Sequence, residues 1–291
     1  TSQGGREALE VAQRFPEDYD GVLATVPLIG YSAHVIAKTL LAGVQSGDGW
    51  ITPAATKLIA EEVVRQCDAL DGLADGVISH YRACNALFAA DKGAAPYQRI
   101  RCADGATPAA GSASVTCLGD AQIATAIRMR APLDFGFALA HGISTFPAYG
   151  TGREHSGWLN ITPQPRRPAR PNLGQPGITV QYVILQDPAP NLLDFSIAAN
   201  RERIVAASAL IDSTNPDLSR FFARGGRLIV KSGSSDYSVN PQIMANYYDT
   251  VVARFGQPQV DAHVRYYVLP NTGHGGTGES LTTGTPIPHR I

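Results

Sequence analysis

No run of about 20 apolar residues occurs in the chain, so no stretch is fit to cross a bilayer as a helix. A surplus of charge is missing too: 24 Lys and Arg stand against 25 Asp and Glu, a formal net charge of -1. Without a basic block there is no electrostatic footprint for a nucleic acid and no general attraction to an anionic membrane. Cysteine is sparse, with four residues at positions 67, 84, 102 and 117. None stands in C-x-x-C and no histidine cluster accompanies them, which disfavours zinc. A signal peptide is also not seen, which carries no weight if the numbered chain is an interior piece of a longer protein.

What is present suits a globular protein of one or two domains: 291 residues, 44% hydrophobic and 17% charged. Glycine (29) and proline (20) are plentiful, so long irregular segments are expected. Sequential pairing of the cysteines, Cys67–Cys84 and Cys102–Cys117, would close two short loops. Each closure would stabilise the fold by roughly 3 kcal/mol. Disulfide use of that kind points to a secreted or periplasmic protein.

The first residues carry the sharpest signal. Ser2-Gln3-Gly4-Gly5 runs straight into a helical pattern, with Ala8, Leu9, Ala12 and Phe15 on one face. A serine with a glycine two places on, at a helix N-terminus, is most of a nucleophile elbow. Gly4 is expected to let the backbone turn, and the Gln3 amide to face a developing oxyanion. An elbow needs a preceding strand, and none precedes Ser2, so N-terminal core strands are expected outside the numbered chain. A plain turn or helix cap is the alternative reading of Ser2.

Along the chain, 21–26 reads as a buried strand, 31–43 and 53–66 as helices, with Thr52 and Pro53 opening the second. Residues 31–210 lack clean strand–helix alternation and read as an inserted lid. Within it lie a helix near 119–129, a surface excursion at 163–176 and a helix at 192–210. Residues 1–30 and 211–291 read as a partial α/β core. Strands at 227–231 and 264–269 flank a helix at 241–254, and no element is readable in 282–291.

Asp236 follows the first of those strands and His274 the second. In an open parallel sheet, loops at the strands' carboxyl ends meet along one edge. The order Ser2, Asp236, His274 is that of an α/β-hydrolase triad. Asp236 as a turn or helix cap and His274 as a surface residue remain the alternatives. Cys67-Asp68-Ala69-Leu70-Asp71-Gly72-Leu73-Ala74-Asp75-Gly76-Val77-Ile78 gathers three carboxylates in eight residues. It reads equally as a calcium loop and as a solvated acidic turn, and its spacing is not that of an EF-hand.

Ser2-Gln-Gly-Gly-Arg-Glu-Ala with Gln13-Arg14-Phe15-Pro16-Glu17-Asp18-Tyr19-Asp20-Gly21 resembles the tannase and feruloyl esterase family. The 67–78 stretch resembles its lid calcium loop. Lesser matches are Cys117-Leu118 with Gln122, Gly150–Glu154 with Trp158, and Ser232-Gly233 with Asp236. The resemblance runs from Ser2 to about Gly276. It implies an α/β-hydrolase core with a large inserted lid, and Ser2 as nucleophile, His274 as base and Asp236 as its orienting partner. It implies Ca2+ held by Asp68, Asp71 and Asp75 side chains and Leu73 and Val77 carbonyls. Both cysteine pairs match family disulfides. The family's further cysteine pair, beside the serine and histidine, is replaced here by Thr1 and Gly275, which implies a less rigid site.

The expectation is a serine carboxylic ester hydrolase acting on small hydroxycinnamate, gallate or related phenolic esters, free or attached to plant polysaccharide or polyphenol. Arg130 and Arg153 are candidate partners for a substrate carboxylate, with ordinary salt bridging as the alternative for either. A silent calcium-stabilised binding protein on a hydrolase scaffold, and a serine amidase using the same triad, are the competing readings. Nucleic acid and membrane are not expected partners, and the oligomeric state is not legible.

Overall fold

A computed structural model describes residues 1–45, 47–109, 112–152, 174–187, 190, 192–274, 278–279 and 286–287. The first helical pattern forms α1 (Gln3–Arg14), which buries Gly5, Leu9 and Ala12 but leaves Phe15, just beyond its end, exposed. A polar turn after Pro16 delivers the chain to β1 (Gly21–Thr25), followed by α2 (Tyr31–Val44) and α3 (Pro53–Cys67). α3 starts as its sequence dictates. The Thr52 side chain accepts the Ala55 N–H at 3.1 Å, and Pro53 sits in the first turn, where a missing donor is harmless.

α4 (Tyr81–Leu87) and α5 (Asp120–Met129) follow, then β2 (Leu133–Asp134) and β3 (Thr145–Phe146), which pair antiparallel, and α6 (Gly174–Thr179). The single helix expected at 192–210 does not form. Two 3-10 turns, Leu192–Asp194 and Ala198–Asn200, precede α7 (Arg201–Ile211). Short polar side chains divert the backbone there. Ser196 Oγ accepts the Ala199 N–H at 3.2 Å, and Asn200 donates to the Ser196 carbonyl at 2.9 Å. The excursion expected at 163–176 lies almost wholly outside the described residues.

α8 (Ser219–Ala223) leads into β4 (Arg227–Gly233), α9 (Pro241–Phe255), α10 (Gln257–His263) and β5 (Val264–Leu269). Gly256, at φ 79°, separates α9 from α10, a short helix with no periodic pattern to announce it. β6 (Gly278–Glu279) and β7 (Pro286–Ile287) form a small antiparallel ribbon where no element was legible.

The central sheet is parallel, in the order β1-β4-β5, with Thr25 opposite Lys231 and Gly233 opposite Leu269. All three strands therefore end along one edge. Ala24, Leu228, Val230 and Val264 are buried. Leu23, Ile229 and Tyr267 are 57%, 43% and 50% exposed, so large apolar side chains remain open on the sheet. The protein has an α/β fold with small sheets and packed helices. Cys67–Cys84 ties the end of α3 to α4, and Cys102–Cys117 closes the loop before α5, as the sequential pairing anticipated.

A buried carboxyl joins α2 to the segment after α7. Asp212 accepts the Ser32 amide at 2.8 Å and also the Ser32 hydroxyl. Burial outweighs these bonds and pushes its pKa up to about 7. The folded value thus lies above the unfolded one, near 3.9. Its contribution to stability is complete below about pH 4 and is lost as pH rises through the folded pKa. The melting temperature of Asp212→Asn relative to wild type is therefore expected to improve between pH 4 and 7. Parallel melting curves over that range would contradict the assignment.

Candidate active site

Ser2 precedes α1 at φ 57° and ψ -122°, a conformation that side-chain-bearing residues rarely adopt. Three backbone hydrogen bonds hold it there. Its N–H donates to the Thr25 carbonyl at 3.0 Å, and its own carbonyl accepts from Arg6 N–H at 3.0 Å and Leu28 N–H at 3.4 Å. Ser2 is thereby fixed to the carboxyl end of β1. The Arg6 bond is the first rung of the helical ladder, so the Gln3 amide precedes it, as an anion-facing donor must.

The glycine that permits this turn is Gly5 rather than Gly4. A Cβ at Gly5 would stand 2.6 Å from the Thr25 carbonyl oxygen and 3.0 Å from Pro27 Cα, whereas Gly4 has nothing within 4 Å. α1 crosses the end of β1 one residue later than the motif suggested.

Asp236 and His274 come from the ends of β4 and β5, and their loops are laced together. Ser234 N–H donates to the Leu269 carbonyl at 3.0 Å, Ser235 N–H to the Thr272 carbonyl at 3.1 Å, and Asn271 N–H to Ser234 Oγ at 2.8 Å. At Gly233 a Cβ would lie 2.1 Å from the Thr272 carbonyl oxygen, an approach only glycine allows. This lacing aligns the histidine loop by backbone bonds and close packing. Gly275, where the family cysteine is replaced, lies outside the described residues.

Asp236 Oδ1 accepts the N–H groups of Ser238 and Val239, both at 2.9 Å, and Oδ2 faces His274 Nδ1 at 2.9 Å. The Asp236 side chain is 1% exposed and that of His274 is 35% exposed. The carboxylate is thus locked while the ring reaches solvent. Capping of α9 falls to Asn240, whose side chain accepts the Gln242 N–H at 3.0 Å. Ser2 shares the same sheet edge, and its hydroxyl is not hydrogen-bonded to the His274 ring.

α2 adds two groups that the sequence reading passed over. Lys38 is buried, and its Nζ donates to the Ser238 carbonyl at 3.4 Å. Burial lowers its pKa to about 8, with Asp236 pulling the other way. His34, one turn earlier, is held well below the ordinary histidine value by burial, then by Lys38 and His274. Tyr149 stacks on Tyr237 at 5.9 Å between ring centres, and burial, then the Asp236 charge, pushes its hydroxyl up. The signal for the α2 pair is two basic side chains at i and i+4 in a mostly apolar helix, a pattern that the polar side of an amphipathic helix also gives.

In the acidic loop each carboxylate accepts backbone N–H groups. Asp68 bonds Gly76 at 2.8 Å, Asp71 bonds Leu73 at 3.0 Å and Ser79 at 2.9 Å, and Asp75 bonds Val77 at 2.9 Å. The Leu73 and Ser79 amides lower the Asp71 pKa. Among the described residues, no three His, Cys, Asp or Glu side chains gather to hold a metal ion. Arg130 is buried and donates to the Tyr149 carbonyl at 3.3 Å and to that of Gly150, a bracing role. Arg153 lies outside the described residues. A cavity of about 250 Å³ beside α9, lined by Gly30, Ile143, Thr145, Ile243 and Tyr247, includes none of Ser2, Asp236 or His274.

The family model of tannase and feruloyl esterase matches residues 1–285. The chain belongs to this family. An uncharacterised esterase of Agrobacterium fabrum is 32% identical, the alignment covering 94% of this chain and 50% of that protein. A probable feruloyl esterase B-2 of Aspergillus terreus is 28% identical, covering 96% and 49% respectively. Among solved structures, feruloyl esterase B from Aspergillus oryzae superposes with a TM-score of 0.76 at 21% identity, over 94% of this chain and 51% of that one. This likeness extends the shared fold across nearly all of the chain. The tannase-family chain described here spans about half the length of these relatives.

Proposed function

We propose that the protein is a serine carboxylic ester hydrolase acting on aromatic, phenolic esters, with Ser2 as nucleophile, His274 as base and Asp236 as its orienting partner. The Asp236–His274 hydrogen bond of 2.9 Å, on the sheet edge that also carries the strained Ser2, is the observation that supports it. His274 takes the Ser2 proton as the hydroxyl oxygen attacks the ester carbonyl. The Gln3 amide stabilises the oxyanion together with a second donor from residues preceding Ser2. The alcohol leaves with the proton from His274, and water attacks the acyl-enzyme by the same route in reverse.

In this reading residues 1–30 and 211–291 belong to the α/β-hydrolase core, whose preceding strands would pair with the open edge of β1. Residues 31–210 form the lid over the acyl or alcohol group. Substrates are hydroxycinnamates, gallates or related esters, free or attached to polysaccharide or polyphenol, consistent with the names of the relatives. The two disulfides suit a secreted or periplasmic protein.

A panel of feruloyl, galloyl and terephthaloyl esters with their matched amides tests the assignment. Turnover of esters ahead of amides is expected. Faster amide turnover would mark a serine amidase, and no turnover by folded protein would leave a silent binding scaffold.

Calcium belongs to the same proposal. The loop offers the oxygen donors calcium prefers, from Asp68, Asp71 and Asp75 and the Leu73 and Val77 carbonyls. The ion would brace the lid and take no part in the reaction. Chelation is expected to lower the melting temperature by several degrees, with recovery on adding Ca2+. An unchanged melt after verified metal removal would make the loop an acidic turn held by its own amide bonds.

A further inference from the structure

The acid–base pair has a second layer beneath it. Lys38 and His34 stand one helical turn apart on α2, 8% and 4% exposed, in a helix whose other buried side chains are mostly apolar. A buried ammonium requires a compensating partner. Lys38 has two: the Ser238 carbonyl at 3.4 Å and the charge of Asp236. The Ser238 carbonyl belongs to the same turn whose Ser238 and Val239 amides grip Asp236 Oδ1. That turn is therefore held from both sides, by the carboxylate within and by the ammonium from α2. His34 Nδ1 is buried without a hydrogen-bond partner.

We propose that Lys38 is a positioning residue for the Asp236–His274 pair, fixing the Asp236 turn and with it the carboxylate that orients the His274 ring. The inference rests on the esterase reading of Ser2, Asp236 and His274. Lys38 from α2 and Tyr149 from the segment after β3 face Asp236, and His34 from α2 faces Lys38 and His274. Burial, then the Lys38 charge, holds His34 well below the ordinary histidine value, so Lys38 is the cation that α2 presents to the Asp236 turn.

The test compares K38M and K38R in the intact protein, reading kcat and KM separately on an aromatic ester. In K38M kcat is expected to fall by about tenfold or more with KM little changed, because the Asp236 turn loses its hold from α2. K38R is expected to recover most of that loss. A K38M enzyme with kcat within about twofold of wild type, or with its loss mainly in KM, would overturn the proposal, as would a K38R enzyme as slow as K38M.

A second measurement needs no turnover. The His274 Nδ1 proton, followed by NMR, is expected to exchange with solvent faster in K38M than in the wild-type protein, because the carboxylate that holds it is less firmly placed. Unchanged exchange would overturn the inference. Failure of the esterase reading would be seen separately, as absence of hydrolysis by every form of the protein.

Discussion

Ser2→Ala is expected to lower kcat for aromatic esters by about 10⁴-fold or more, with the melting temperature little changed. The rate falls because no other hydroxyl occupies the strained position at the end of β1. The fold survives because the Ser2 side chain makes no capping hydrogen bond to α1. The position is held by backbone contacts to Thr25, Arg6 and Leu28, which alanine keeps. Alanine at φ 57° is about as strained as serine, so the substitution isolates the oxygen. Activity within tenfold of wild type, in a variant that melts normally, would remove Ser2 from the mechanism.

Asp236→Asn should come close to that loss, about 10⁴-fold in kcat, for a reason its surroundings make specific. Oδ1 of Asp236 is committed to two backbone N–H donors. In the variant the amide oxygen must keep that place, so the NH2 group points where Oδ2 now faces His274 Nδ1. A donor there forces Nδ1 to accept and moves the ring proton to Nε2. A ring with its proton on Nε2 cannot take one from Ser2. Melting temperature and ester KM should change far less than kcat. A variant with near-normal kcat would contradict Asp236 as the partner that sets the tautomer.

Much of this architecture was legible because short apolar runs bounded by Gly and Pro are strands in this chain. The runs at 21–26, 227–231 and 264–269 became β1, β4 and β5, and with them the sheet edge that gathers Ser2, Asp236 and His274. Capping chemistry placed the start of α3 for the same kind of reason: Thr52 and Pro53 act through their immediate neighbours. The misses depend on distant contacts or on competition between local ones. Which glycine lets α1 cross β1 depends on Thr25 and Pro27, some twenty residues away, so Gly5 could not be told from Gly4. The pattern over 192–210 is helical in its apolar spacing, yet Ser196 and Asn200 side chains capture the backbone first. α10 has no apolar stripe long enough to read.

The site was less legible than the fold around it. Lys38 and His34 look, in sequence, like the polar side of an amphipathic helix. Only the packing of α2 against the Asp236 turn shows that this side is buried. Asp212 is similar: nothing near it in sequence says that its partner is Ser32. Buried titratable groups are placed by tertiary contacts, and short-range patterns carry little of that information.

The most direct test is covalent labelling of the intact protein with an aryl ester or a fluorophosphonate, followed by peptide mass mapping. The account predicts one adduct per chain, on the peptide that contains Thr1-Ser2-Gln3, and none in Ser2→Ala. Hydrolysis that proceeds with no adduct at Ser2, or with the label on another residue, would contradict it.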